Sequence, residues 1–446
     1  MALTRGQKAG WGLADLGIVV FVIVKQLLVL VFLTAFLGVP VGLAGALTTS
    51  VLIFDMISDP IIGFLSDRTK SRFGRRPPWM AVGAVVMAVG MVALFAVPDG
   101  MSLLGDMAWV FCFFGLATIG FTMVAIPYSA SAGEITQDPK ERSALTAWRM
   151  VFASVGILVG GALIPGFAEN MGYPMAALIA TPLMVGSIWL SLYVTRKAPQ
   201  LEQEAPVPLR EAYRSVIGNR AFFVLAIIYG VMTLAIALIT AGLPFAATYL
   251  IMDTGDTPLS GIAAALSTLS LLFAAFVVGS IISQAVWVFF SNMLGKLGAL
   301  LLGLCLYICL LVGLYLVLPS INVTVMAGIF VLAGFSNGSY QQIPWAMFPD
   351  LMDVTRRETG AAIEGAFAAV WLFGQKLANA IAPALLGLIL AIAGWQETTV
   401  GVVDQSDVAL EMLRVAITFV PAAILGVAIF ALAIIYRPLA KAALAR

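Results

Sequence analysis

Histidine does not occur anywhere in this chain. Its absence removes imidazole proton relays, histidine-ligated zinc sites and Ser–His triads, so any proton chemistry must run on carboxylates and lysine. Charge is scarce as well: Asp, Glu, Lys and Arg make up 11% of the residues, against about 25% in ordinary globular proteins. No basic tract has the length of a nucleic-acid patch, and the net charge of +1 carries no message about such a partner. The three cysteines, Cys112, Cys305 and Cys309, sit in apolar runs. They are too few for a disulfide framework and lack metal-ligand spacing, so they read as packing residues. No nucleophile–base constellation emerges, which argues against an enzyme, and no cofactor is expected. The opening MALTRGQKAGWG has two basic residues but no cleavable site behind a short apolar core, and reads as a mature cytoplasmic start.

What is present is apolar surface, 61% of the chain. A helix needs about 20 apolar residues to cross the hydrocarbon core. Twelve runs qualify: 11–37, 41–66, 79–97, 107–132, 144–168, 174–195, 221–250, 259–290, 297–318, 322–349, 361–394 and 412–436. The expectation is an all-α membrane protein with twelve transmembrane helices, several kinked at Pro60, Pro127, Pro244, Pro344 and Pro383. Charge asymmetry supports the count. With both termini inside, every Lys and Arg except Lys25, Arg149, Lys376 and Arg414 falls in an inner segment, while the outer loops carry only acids such as Asp99, Asp256 and Asp404. The polar, proline-broken stretch 196–220 divides the chain. It gives an N-terminal six-helix bundle over 1–195, a cytoplasmic linker over 196–220 and a C-terminal six-helix bundle over 221–446. Internal repeats of this kind place a substrate near the midplane between halves.

The informative charges are those left inside the spans: Asp15, Lys25, Asp55, Asp59, Arg149, Glu364, Lys376 and Arg414. A charge at the bilayer centre costs about 2.5–3.5 kcal/mol on insertion scales, so each needs a partner or a wet cavity. Asp55 and Asp59 stand four residues apart, on one helical face. Two carboxylates that close require a proton, a counter-charge or a bound cation. Na⁺, H⁺ and the Lys376 ammonium are the candidates, and a static buried salt bridge among the three is the competing reading. Asp15 and Gln26 share a face of span one. Lys25 has two readings, lining the cavity or snorkelling, and Arg149 also has two, substrate contact or a gate at the helix end. Tyr340, Gln341 and Trp345 on span ten, with Trp371, Gln375 and Asn379 beside Lys376 on span eleven, suit a hydroxylated ring, or else serve as interhelical glue. The basic turn after span two, Asp67, Arg68, Arg72 and Arg75, is matched by Glu134, Arg142, Asp350 and Asp353 on other inner turns, and these eight read as a cytoplasmic gate.

Three blocks carry a resemblance. DMISDPIIGFLSDRTKSRFGRRPPW from Asp55, AIPYSASAGEITQDPKERSALTAWRMVFASVG from Ala125 and IPWAMFPDLMDVTRRETGAAIEGAFAAVWLFGQKLANAIAPALLG from Ile343 cover about a quarter of the chain. They resemble the glycoside-pentoside-hexuronide:cation symporters, the melibiose-permease-like branch of the major facilitator superfamily. The resemblance implies the major-facilitator fold, a monomer in a bacterial inner membrane, and cation-coupled uptake of a small molecule by alternating access. It carries the cation role onto Asp55 and Asp59, as Na⁺ ligands if sodium is the ion, adds Thr122 as an oxygen ligand, and makes Lys376 the coupling lysine. Two departures stand against a melibiose-like substrate. Ala125 occupies the place of one sugar-binding Asp, and the second falls at Val19, one turn from Asp15. The PWAMFPD block and PYS motif also look like the eukaryotic sodium-dependent lysolipid transporters. Symport of a sugar, glycoside or uronide therefore leads, a lysolipid or amphiphilic anion carrier follows, and a non-transporting scaffold comes third.

Overall fold

The computed structural model describes residues 3–69, 71–136, 139–198, 216–320, 322–359, 364–399 and 402–444. The linker residues 199–215 and the side chains of Asp67, Glu134, Arg142, Asp353 and Glu364 lie outside the described residues.

Among the described residues, eleven helices are long and apolar enough to cross a membrane. The difference from twelve has a single cause. The helix Thr268–Val317 runs for 50 residues and is broken only at Gly295, whose φ of 73° and ψ of 159° are not helical. At 1.5 Å per residue, a straight helix of that length would be about 75 Å long, more than twice the hydrocarbon thickness. It therefore holds spans eight and nine joined at one residue, and the count of twelve stands. Glycine is required there because φ is positive.

The chain divides into two compact units. The first comprises Met1–Gln203, Gly261–Ala274 and Gln396–Asp404. Its helices are α1 (Arg5–Gly12), α2 (Ala14–Ala35), α3 (Val41–Arg68), α4 (Pro77–Phe95), α5 (Leu103–Ile135), α6 (Pro139–Leu158), α7 (Ile164–Met171) and α8 (Tyr173–Thr195). A break at Leu13 separates α1 from α2, and Thr4 caps α1 in a reciprocal pair with Gln7. Helices α4 and α5 approach at backbone distance. A Cβ on Gly90 would lie 2.4 Å from the Ala117 nitrogen, and one on Gly120 2.2 Å from the Met87 nitrogen. Small residues allow that approach where no hydrophobic force drives helices together.

The second unit comprises Glu204–Ser260, Ala275–Trp395 and Gln405–Arg446. Its helices are α9 (Arg220–Tyr249), α10 (Ser260–Leu266), α11 (Thr268–Val317), α12 (Val323–Thr359), α13 (Glu364–Ile392), α14 (Asp407–Ile417), α15 (Phe419–Ala431) and α16 (Arg437–Leu444); Ser260 aside, α10 and the start of α11 group with the first unit. Large rings fill this unit, among them the fully buried Trp287, Trp371, Tyr229, Tyr307 and Phe222. The last span bends at Thr418, outside helical geometry at φ −124° and ψ −75°. Before that bend, Arg414 pairs with Glu411 at 3.0 Å and also donates to the Tyr315 carbonyl, which settles one of the charges inside the spans.

Candidate cation and substrate sites

In the first unit, α3 and α5 bring Asp55, Asp59 and Thr122 together. The four-residue spacing of the two acids puts both on one face of α3, and Thr122 projects from α5 between them. Its hydroxyl oxygen lies 2.7 Å from Asp55 Oδ1 and 3.2 Å from Asp59 Oδ1. Both carboxylate oxygens thus converge on one small oxygen atom. Asp55 is 4% exposed and Thr122 fully buried, while Asp59 is half-buried. Among the described residues no group of three or more acidic, Cys or His side chains could hold a metal ion. An ion at this point would meet two carboxylates and the Thr122 hydroxyl, hard oxygen donors that suit Na⁺ or a proton.

A second cluster forms where α1, α2, α5 and α6 meet. Asp15 is buried at 2% exposure and accepts a hydrogen bond from Arg149 Nε at 3.1 Å, closing an ion pair across 134 residues of sequence. The Arg149 guanidinium sits 5.5 Å from the Tyr128 ring centre. Tyr128 stacks on Trp11, centroids 4.6 Å apart and planes at 24°. Two atoms here are buried without a hydrogen-bond partner, Asp15 Oδ1 and the Tyr128 hydroxyl. A buried polar atom left unsatisfied costs on the order of 1–3 kcal/mol, so these two are poised for something that brings an acceptor and a donor. Lys25 and Gln26 are half-buried on α2. The Lys25 ammonium lies 5.3 Å from the Phe21 ring and 4.8 Å from that of Phe121, the neighbour of Thr122.

In the second unit, three of the residues marked on spans ten and eleven gather round a residue that was not marked. Tyr229 of α9 stacks on Trp371 at 4.2 Å and 13°, and on Tyr340 at 5.5 Å and 19°. Its hydroxyl accepts from Trp345 Nε1 at 3.1 Å. Tyr340 shares a 2.8 Å hydrogen bond with Thr233, one turn further along α9. Trp371 is buried with its Nε1 unpartnered, whereas Trp345 is 42% exposed. Gln341 is exposed and accepts from Ser280 at 3.2 Å. On α13, Asn379 donates to the Gln375 carbonyl, and Gln375 and Lys376 are half-buried. Sequence reasoning missed Trp11, Tyr128, Tyr229 and Thr233. The one local signal was Tyr128 in the PYS motif.

Of the residues read as a gate, Arg68 lays its guanidinium on Phe64 at 3.8 Å and Arg72 lies 4.7 Å from the Phe73 ring. Arg75 is half-buried. Asp350 is held within the second unit by Lys296 at 2.6 Å, and Lys296 also donates to the Ala346 carbonyl.

Helical bundles whose spans carry buried carboxylates and half-buried cationic side chains are what a membrane carrier requires. The family model for MFS/sugar transport proteins matches residues 10–437. The chain belongs to that family, as the resemblance to the glycoside-pentoside-hexuronide:cation symporters implied, and is a multi-pass membrane symporter of the major-facilitator type rather than an enzyme. It is 25% identical to the inner membrane symporter YicJ of Escherichia coli (strain K12), over 94% of this chain and 89% of that one. It is 26% identical to the putative glycoside/cation symporter YagG of the same organism, over 89% and 85%. It is also 24% identical to the sodium-dependent lysophosphatidylcholine symporter 1-A of Danio rerio, over 90% and 80%. In fold it matches the crystal structure of a bacterial homologue of the human lysosomal transporter Spinster. That match has a TM-score of 0.67 at 14% identity and covers 100% of this chain and 99% of that one.

Proposed function

We propose that the protein takes up a neutral or weakly acidic glycoside, or a uronide, driven by one cation held at Asp55, Asp59 and Thr122. The carrying observation is the convergence of the two Oδ1 atoms on the Thr122 hydroxyl. A cation entering there replaces the hydroxyl proton as the group both carboxylates face, and the hydroxyl oxygen turns a lone pair to it. Inward movement of that charge is driven by about 2.3 kcal/mol per 100 mV of membrane potential. Lys376, from the second unit, is the residue whose ammonium exchanges with the cation. The substrate binds at Asp15, Tyr128 and Arg149. The unpartnered Asp15 oxygen accepts a sugar hydroxyl, the Tyr128 hydroxyl donates or accepts, and the guanidinium fixes a ring oxygen or carboxylate. Lys25 and Gln26 are the further substrate candidates of the first unit, and Tyr340, Gln341, Trp345, Trp371, Gln375 and Asn379 are those of the second. Asp15 and Arg149 together carry no net charge, which favours a polyol over a strong anion.

Both termini and the turn at residues 67–76 face the cytoplasm of a bacterial inner membrane in this reading. That turn is the gate, with Glu134, Arg142, Asp350 and Asp353. The test is uptake of p-nitrophenyl glycosides and glucuronides into proteoliposomes with an imposed Na⁺ or H⁺ gradient. Accumulation is expected with one gradient and lost in Asp59→Asn; uptake indifferent to both gradients would sink the proposal. The likeness to lysophosphatidylcholine symporters supports a second reading, an amphiphile carrier on the same cation site. Thermal shifts with lysophosphatidylcholine but with no glycoside would select it.

A further inference from the structure

The short helix ahead of the first span is tied down at both ends. At its start, one carboxylate gathers three partners: Glu141 accepts from the Leu3 backbone N–H at 2.8 Å and from Thr136 at 3.0 Å, and pairs with Lys8 at 3.2 Å. At its end, Trp11 is held by three contacts. Its ring stacks on Tyr128 and its indole N–H donates to Ser131 Oγ at 2.9 Å. Ser131 in turn donates to the Tyr128 carbonyl at 2.6 Å, and Ser191 donates to the Trp11 carbonyl at 3.3 Å. The next residue, Gly12, lies so close to α6 that a Cβ would come 2.8 Å from the Arg149 nitrogen.

We infer that Trp11 is a positioning residue of the Asp15–Tyr128–Arg149 cluster, so that the helix before the first span is a structural part of the binding site. The argument is one of constraint. Tyr128 keeps a hydroxyl buried and unpartnered, a state that a mobile ring would leave by rotating toward any available partner. The Trp11 indole covers one face of that ring, and Ser131 ties indole and Tyr128 backbone together. The Arg149 guanidinium lies over the same ring, 5.5 Å from its centre, and reaches Asp15. Fixing Trp11 therefore fixes the ring, and the ring sets where the guanidinium lies. A binding geometry is only as good as the packing behind it.

This inference rests on reading the cluster as the substrate site, so the experiment includes an arm that needs no substrate. Phenylglyoxal, an arginine-selective dicarbonyl, is applied to the full chain in liposomes, and modification of Arg149 is followed by peptide mass spectrometry. Trp11→Ala and the bulkier Trp11→Leu are expected to raise the Arg149 modification rate about fivefold, the scale of losing one aromatic stack. Trp11→Phe keeps a stacking ring and should stay near the unsubstituted rate. With a transported p-nitrophenyl glycoside, the half-saturating concentration should rise by a similar factor in Trp11→Ala and Trp11→Leu. The maximal rate should hold within about twofold. The Na⁺- or H⁺-dependent thermal shift should be unchanged in all three, because the Asp55–Asp59–Thr122 cluster is not touched; a general loss of structure would move it. Equal Arg149 reactivity in Trp11→Leu, Trp11→Phe and the unsubstituted protein would overturn the inference. If no glycoside is transported while Arg149 reactivity follows the stack, the substrate reading fails and the positioning role survives.

Discussion

Set one above the other, DMISDPIIGFLSD from Asp55 and SIISQAVWVFFSN from Ser280 share Ile57 with Ile282, Ser58 with Ser283, Phe64 with Phe289 and Ser66 with Ser291. The two serines in the middle even make the same bond: Ser58 donates to the Asp55 carbonyl at 2.9 Å and Ser283 to the Ser280 carbonyl at 2.8 Å. In this register Asp55 and Asp59 correspond in sequence to Ser280 and Gln284. On the partner helices, Ile126-Pro127-Tyr128 aligns with Ile343-Pro344-Trp345, which sets Thr122 against Ser339. The first helices follow suit: Trp11-Gly12 aligns with Tyr229-Gly230, and Asp15 with Thr233. Trp11 meets Tyr128 in one half, and Tyr229 meets Trp345 in the other. Where the first half has Asp15 bonded to Arg149, the second has Thr233 bonded to Tyr340. The same scaffold positions are thus charged in one half and neutral in the other. Under the function proposed above, ion coupling falls to the half that carries the carboxylates, and the matching places of the other half offer only neutral groups.

The largest effect should come from breaking that division. Asp55→Asn or Asp59→Asn is expected to cut gradient-driven uptake by about a hundredfold or more, the scale of a lost charged interaction of a few kcal/mol. Gln284→Ala, at the matching place in the second half, should leave it within about twofold. Proteoliposome uptake under an imposed gradient decides between them, and equal losses would mean that the asymmetry carries no function. Next come the paired centres. Arg149→Ala strands a buried carboxylate and should cost roughly 3 kcal/mol, somewhat less because the arginine side chain is 36% exposed. Thr233→Ala removes two neutral hydrogen bonds, the one to Tyr340 worth about 1 kcal/mol and the one back to the Tyr229 carbonyl of its own helix adding little; thermal unfolding in detergent should show the difference in size.

A smaller contrast tests packing. Gly334→Ala on α12 drives a methyl to 1.8 Å from the Phe276 carbonyl oxygen and should destabilise by about 1–3 kcal/mol, whereas Gly328→Ala on the same helix meets nothing and should be neutral or mildly stabilising. The smallest effect concerns pH. The Glu141 carboxyl is held below its ordinary range, first by the Leu3 N–H and then by Thr136 and Lys8. A carboxyl lowered in the folded state contributes its stabilisation above the ordinary glutamate range and loses it as pH falls through the folded value. Amides of α1 should therefore exchange faster only under acid conditions. In Glu141→Gln they should exchange fast at neutral pH too, and identical profiles in the two proteins would remove Glu141 as the anchor.

Much of the first half could be read without coordinates, for a physical reason. A charge inside an apolar run is rare enough to be noticed, and the four-residue spacing of Asp55 and Asp59 alone puts them on one face. Asp15 and Arg149 were each conspicuous, but their pairing spans 134 residues and needed the fold. The second half was harder. Its site-like residues are aromatic, and among 27 Phe, 10 Tyr and 9 Trp nothing local separates a ring in a stack from one facing lipid. Tyr340, Trp345 and Trp371 stood out because amides lie beside them, whereas Tyr229, on which all three converge, lies in an otherwise apolar helix. Hydropathy gave the spans, but it could not show that spans eight and nine would run into each other with one residue between.

That junction has a mechanical consequence. Where the first half spends residues 69–76 between α3 and α4, the second spends Gly295 alone, and the residue after it, Lys296, is fastened to α12 through Asp350 and the Ala346 carbonyl. A joint with a single residue has no slack, so spans eight and nine and the neighbouring end of α12 should travel as one lever. The longer turn of the first half is instead tied to itself and to the start of α4, by Ser71 to the Gly74 carbonyl at 2.7 Å and by Trp79 to the Thr69 hydroxyl at 2.7 Å.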